Sequence, residues 1–308
     1  ISFMDIRDSD AARTAFESHI KNYKGHMKIG GYKNVPGRSP QGRTAWMRTP
    51  YLPETPDAEE KAQADALPRT RAAKEDYCGY NTLEDSQVKE NILKAELEDM
   101  QLLAHCNGDR AAEQYMDMLE TVYRELGSGN SRKPGFYRGD IRPVMIHAQL
   151  LGLDQLERVK KLGIIPSFFL AHVYHWGDIH VRNFGQERAG RISGCIGPEG
   201  GHLFHPAPGQ PGYYAGHDGD SVVRCKPAFQ DGKVLGPEER IPMWDALKAV
   251  TVNGAYQYFE ENEKGTVTPG KKADFVVLEQ NPLETGADEI RNIRVLATIK
   301  EDRLLWKA

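Results

Sequence analysis

The chain has 308 residues, of which 39% are hydrophobic and 27% charged, and its formal net charge is −4. That composition belongs to a globular protein with apolar mass for a large core, and it excludes a disordered or fibrous chain. The charges are interspersed with no basic stripe, which argues against nucleic acid as a ligand, and no run approaches the roughly 18 apolar residues of a membrane span.

The first five residues carry neither the basic nor the apolar part of a leader and read as the inside of a strand. Residues 27–33 read as a further strand that ends on Lys33. Residues 53–75 are charged, Ala-rich and poor in large apolar groups, so they read as a surface excursion. Val88, Ile92 and Ala95 then mark a helix behind a capping residue at Thr82. From residue 100 onward, short apolar runs alternate with helical periodicity, the pattern of βα units on a parallel sheet. Residues 100–105 form a strand. They lead through Asn107-Gly108-Asp109 into a helix over 110–126, on which Ala112, Tyr115, Met116, Leu119 and Val122 recur at helical spacing. Residues 142–148 are the next strand, followed by a helix carrying Leu153, Leu156, Val159 and Leu162 that Gly163 stops. A third strand covers 164–169 and ends at Ala171-His172. Residues 275–278 and 295–299 are β-branched runs with no helix between them long enough for a parallel crossover, so they read as a small antiparallel unit.

The four cysteines, Cys78, Cys106, Cys195 and Cys225, have no C-x-x-C spacing. They read as free thiols in a reducing compartment, and the protein as cytoplasmic. Two histidines stand at the ends of consecutive strands, His105 in Leu102-Leu103-Ala104-His105 and His147 in Met145-Ile146-His147. In a βα barrel the C-terminal strand edge is where ligands and catalytic groups converge, so two imidazoles there can share one ion, whereas either alone would read as a core histidine. Lys33 ends an earlier strand. A buried lysine can lose its proton, take up carbon dioxide and bridge two divalent ions as a carbamate.

Six motifs carry a resemblance to amidohydrolase family 3. They are MKIGGYK with SPQGRTAW (27–46), AHCNGDRAAE (104–113), RPVMIHAQ (142–149), IIPSFFLAHVYHWGD (164–178), GKVLGPEERI (232–241) and GTVTPGKKADFVVL (265–278). The resemblance implies an α/β chain, a partial TIM-like barrel over 1–262 joined to the C-terminal piece of a small β-sandwich over 263–308. It also implies hydrolysis of C–N bonds in small amide-type substrates with one or two divalent metal ions, usually zinc. His105 and His147 match the histidine ligands of the fifth and sixth barrel strands, and Lys33 the lysine of the fourth. His172, Tyr174, Trp176 and Asp178 fall in the loop after the seventh strand, where they would shape the substrate pocket. Self-association is left open.

Two parts of the family pattern are missing. No H-x-H pair of the first barrel strand occurs, so the chain reads as a C-terminal fragment with an open sheet edge. The strand-eight Asp that would shuttle protons has no counterpart in the irregular segment 194–230; Asp218 and Asp220 sit there among glycines, in turn-like surroundings. Reading 216–229 one nucleotide later permits DMMETVWCAVNRLS, and the residues before it permit HQDSPV, with the Asp spread over the Gly209 and Gln210 codons. The same operation on 34–38 permits MFLDG. These two segments are therefore expected to be out-of-frame translations and the chain to be inactive. The alternatives are a non-catalytic binding or assembly domain, and a zinc-independent barrel enzyme using Cys106 as nucleophile.

Overall fold

The computed structural model describes residues 1–53, 76–127, 140–169, 171–191, 235, 242–286 and 289–308. Five strands form one sheet in sequential order: β1 (Ser2–Asp5), β2 (Ile29–Asn34), β3 (Gln101–Cys106), β4 (Val144–His147) and β5 (Ile165–Phe168). Every neighbouring pair is parallel. The crossovers are helical: α1 (Ser9–Ala15) leads from β1 to β2, α2 (Asp85–Leu97) to β3, α3 (Asp109–Glu125) to β4 and α4 (Leu153–Leu162) to β5. This is the arc of a TIM-like barrel, as the alternation of periods predicts.

The main core lies between the sheet and these helices. Val88, Ile92 and Ala95 of α2 are fully buried there, with Tyr115, Met116, Leu119 and Val122 of α3 and Leu156 and Val159 of α4. Each large side chain so placed contributes about 1.5–3 kcal/mol. On the other face Leu103, Val144 and Ile165 form a smaller cluster, with Phe3, Ile146 and Tyr256 packed against it. Gly163 follows α4 with a left-handed φ of 68°, the stop expected from the sequence. The cap of α2 is Glu84, whose amide donates to Gln87, and not Thr82; the Thr82 hydroxyl donates to the Val35 carbonyl instead.

Beyond β5 the chain forms α5 (Ala171–Gly190), α6 (Met243–Val250) and α7 (Val252–Gln257). It ends in an antiparallel sheet of β6 (Phe275–Leu278), β7 (Val295–Lys300) and β8 (Arg303–Lys307). The antiparallel unit was expected, but its third strand was not. The expected surface excursion at 54–75 and the irregular segment 194–230 lie outside the described residues.

Candidate functional site

His105 and His147 end neighbouring strands, yet their register is one residue out of phase. His105 pairs with Ile146, and His147 with Cys106. Strict pleating would send the two imidazoles to opposite faces of the sheet. The pleat stops at His147: its φ is 70° and that of Ala148 is 46°, two consecutive non-glycine residues in the left-handed region. With that bend the two rings meet edge to face, their centroids 4.3 Å apart. Such backbone costs about 1–3 kcal/mol per residue and survives where its surroundings hold it. Here the Leu150 amide donates to the Asn107 carbonyl at 3.2 Å. The Gln149 side chain meets His180 at 3.1 Å.

Lys33 sits opposite Leu103 in the register, on the same strand face as His105, and its side chain is exposed, not buried as the carbamate expectation assumed. Burial holds the pKa of His105 down at about 4, and the Lys33 charge adds to the effect. A neutral imidazole with a lone pair is the form that binds a metal.

The segment following β5 corrects the sequence expectation. His172, Tyr174, Trp176 and Asp178 were placed in a loop, but they belong to helix α5, which departs from helical geometry at Trp176 and Gly185. Because the backbone breaks at Trp176, contact and not helical period groups the rings of His172, Trp176 and His180. His172 lies 5.5 Å from His147, 5.0 Å from Trp176 and 6.1 Å from His180 by ring centroids. Phe169 closes the group at 5.7 Å from His147 and 4.8 Å from His172. Asp178 is exposed. The structure thus gathers His105, His147, His172 and Trp176, with Lys33 near enough to act on His105 electrostatically.

Burial, with the nearby His180, His105 and His175, pushes the His172 pKa down to about 3. Its Nδ1 accepts from the Gln41 amide at 2.9 Å, in the loop that follows β2. Asn183 of α5 ties to the same loop by donating to the Pro40 carbonyl at 2.8 Å. The thiol of Cys106 is buried and pushed well up by that burial, so it is no nucleophile. Cys78 and Cys106 are both free thiols, while Cys195 and Cys225 lie outside the described residues.

As a metal centre the group fits in kind and falls short in number. Imidazoles suit a divalent ion, but among the described residues no group of three His, Cys, Asp or Glu side chains is placed to hold one. The strand-eight carboxylate and its proposed substitutes fall at 194–230, outside the described residues. Sequence reading missed Asn107, Gln149 and His180. A signal was available for the first two, since each strand-end histidine is followed two residues later by an amide. No described helix is long and apolar enough to cross a membrane.

The model of the amidohydrolase family matches residues 7–197 and 215–305. LONG AFTER FAR-RED 3 of Arabidopsis thaliana is 27% identical over 241 residues, 74% of this chain and 38% of that protein. The N-substituted formamide deformylase of Arthrobacter pascens is 24% identical over 236 residues, 75% of this chain and 41% of the enzyme. In structure, the chain is similar to an uncharacterized metal-dependent hydrolase from Pyrococcus furiosus, with a TM-score of 0.63 at 19% identity, covering 92% of this chain and 50% of that one. The chain spans half or less of the length of these relatives. With most of its length matched by the family model, the chain belongs to the amidohydrolase family of metal-dependent hydrolases.

Proposed function

We propose that the chain is the C-terminal part of a hydrolase that cleaves C–N bonds in small amide-type substrates, and that it lacks activity by itself. The observation that carries this reading is the meeting of His105 and His147 at 4.3 Å on a strand edge whose backbone is bent to bring them together. Residues 1–262 would form the barrel part and 263–308 the sandwich part. His105, His147 and a carboxylated Lys33 would hold the divalent ion, zinc being the expected one. When bound, such an ion lowers the pKa of a water and polarises a carbonyl. His172, Tyr174, Trp176 and Asp178 are the proposed substrate contacts. His172 stays neutral near pH 7, so it can hydrogen-bond a carbonyl without adding charge to the pocket. The deformylase relative, by its name, acts on N-substituted formamides, which supports a C–N bond as the target. A cytoplasmic location is the matching expectation.

Two experiments test this. A half-built shell binds zinc weakly, so elemental analysis after dialysis should find well under one equivalent, and stoichiometric, chelator-resistant metal would overturn the claim of an incomplete site. A longer protein with the H-x-H strand and the in-frame HQDSPV and MFLDG segments should hydrolyse a simple amide or N-acyl substrate with added zinc. It should lose that activity with His105→Ala or His147→Ala. A longer protein that binds metal fully yet turns over no amide would instead leave a binding or assembly domain, the reading that the missing H-x-H pair and strand-eight Asp favour for this chain.

A further inference from the structure

The last sheet of the chain keeps neither of its faces for a core. All four residues of β6 and all five of β8 are exposed. Successive side chains of a strand point to opposite faces, so Phe275 and Val277 stand on one face of β6 and Val276 and Leu278 on the other. On β8, Leu304 and Trp306 share one face and Leu305 takes the other, at 59%, 49% and 62% exposure. An antiparallel sheet in water ordinarily buries one apolar face and turns a polar one outward. Here both faces are apolar, and both are open among the described residues. β6 and β8 are also the two edges of the sheet, and no further strand pairs with either among the described residues. Such an edge is a template for another strand.

The charges around these edges select the strand that fits. Asp274 and Glu279 bracket β6, whereas β8 begins on Arg303 and ends on Lys307. Pairing β8 with β8 of a second copy, in either direction, sets base against base, and pairing β6 with β6 sets acid against acid. Like charges opposite one another weaken a strand pair. Pairing β6 with β8 instead sets acid against base at both ends, with apolar cross-strand pairs between them. One molecule cannot make that pair with itself, because β7 lies between the two strands. Local bonds leave the pattern in place. Asp274 accepts from the Glu301 amide at 2.9 Å, and Glu279 meets Arg294 at 2.6 Å in a pair that solvent screens, while Arg303 and Lys307 make no ion pair among the described residues. The parallel sheet offers no rival edge of this kind: β5 is buried throughout, and β1 leaves no large apolar side chain exposed.

We propose that these edges form an interface between copies of the chain, in which β8 of one copy pairs with β6 of the next and Arg303 and Lys307 face Asp274 and Glu279. Each copy offers both edges, so the contact is heterologous and repeats into a run of copies unless its rotation closes a ring. The inference goes beyond the hydrolase reading and does not depend on it. The tail sheet has this partner whatever the edge at His105 and His147 binds.

The test is sedimentation velocity of the 308-residue chain over a range of concentrations. Species beyond the dimer should grow with concentration, and a chain that stays monomeric overturns the proposal. Lys307→Glu and Arg303→Glu should each raise the concentration for half-association about tenfold. Both side chains are exposed, so neither change disturbs a core, and far-ultraviolet circular dichroism checks that each variant keeps its fold. Adding Glu279→Lys should restore association, to the Lys307→Glu chain if the paired strands run parallel and to the Arg303→Glu chain if they run antiparallel. Rescue of neither overturns the proposal. So does association that stops at a dimer, ignores the charge reversals and disappears with Trp306→Ser, since that pattern belongs to two sheets stacked face to face.

Discussion

Gln149 and His180 meet nitrogen to nitrogen, 3.1 Å apart, between the bent segment after β4 and helix α5. Oε1 of that amide and Nδ1 of that ring have no partner among the described residues. His180 is fully buried, and burial holds its pKa near 4. His105 and His172 are shifted the same way, to about 4 and about 3.

These shifts fix a direction for acid stability. An unfolded histidine gains a proton below its ordinary value of 6.5, while the folded one resists until about pH 4. The unfolded state therefore binds more protons in that window, and stability is full above pH 6.5 and declines as the pH falls toward 4. Each of the three histidines should contribute on the order of 1–3 kcal/mol of loss. Urea midpoints measured between pH 7.5 and pH 4.5 should fall steadily, and His180→Leu should flatten part of the slope. A midpoint that stays level across that range would contradict the burial of these rings.

The residue just before β2 meets the segment after α7 at Lys28 and Glu260, which gives a second expectation. Lys28 Nζ lies 2.7 Å from Glu260 Oε1, with both side chains 10% exposed. Burial works to raise the carboxyl pKa, but hydrogen bonds from Lys264, Lys28 and Tyr23 outweigh it and bring it down to about 2. Removing Lys28 leaves Glu260 with Lys264 and Tyr23 as its partners. Lys28→Met should therefore cost about 1–3 kcal/mol, the price of one lost bond to a buried charged group, and adding Glu260→Gln should recover part of it. Losses that simply add would show that the two charges are not coupled.

How much of this could be read beforehand varies by element, for physical reasons. The strand at 101–106 and the helix at 109–125 were legible because burial of one face imposes a period. The Lys33, His105 and His147 edge followed from strand order. Hidden were the features made by backbone geometry. The turn at Glu301-Asp302 has φ values of 48° and 64°, which is hairpin geometry without the Asn-Gly or Asp-Gly signal, so β8 went unseen. The turn is held instead by tertiary bonds: the Glu301 amide donates to Asp274 at 2.9 Å and the Asp302 amide to the Ala273 carbonyl. The reversal at His147 is likewise set by Asn107, Gln149 and His180. In the α5 segment, the run of aromatic and histidine residues resembles a pocket loop, and the break at Trp176 leaves no unbroken helical period to read through it.

Two glycines beside helix ends should respond differently to alanine. A Cβ on Gly108, at the N-terminus of α3, would stand 2.0 Å from the Trp46 carbonyl oxygen, although its φ of −86° suits any residue. Gly163 has open space around it but a φ of 68°. Gly108→Ala should therefore cost about 2 kcal/mol or more, by prising the 46–48 segment from the helix, and no side chain should rescue it. Gly163→Ala should cost about 1 kcal/mol, with Asn better tolerated than Ala. Equal losses from thermal or urea unfolding would refute the distinction between steric and conformational demand.

The last residue of β2 tests the frame-slip account of residues 34–38. Asn34 is 2% exposed; its Oδ1 accepts from the Asn91 amide at 3.2 Å, while its own Nδ2 has no partner among the described residues. A buried donor without an acceptor costs about 1–3 kcal/mol, an unusual burden for a strand end that faces a core. The alternative frame places Met at this position, a flexible apolar side chain suited to an irregular gap. Asn34→Met should therefore raise the urea midpoint, by an amount corresponding to about 1 kcal/mol or more, even though Asn91 must then turn to water. The neighbouring change is not free by itself: a Cβ on Gly37 would lie 3.2 Å from both the Ala111 Cβ and the His105 carbonyl oxygen. Gly37→Asp alone should thus be destabilising, and the full replacement of 34–38 by MFLDG should be better than the sum of its single changes, since the backbone can then move as one. If Asn34→Met lowers stability and the five-residue replacement lowers it further, the native residues suit this site, and the out-of-frame reading of 34–38 must be given up.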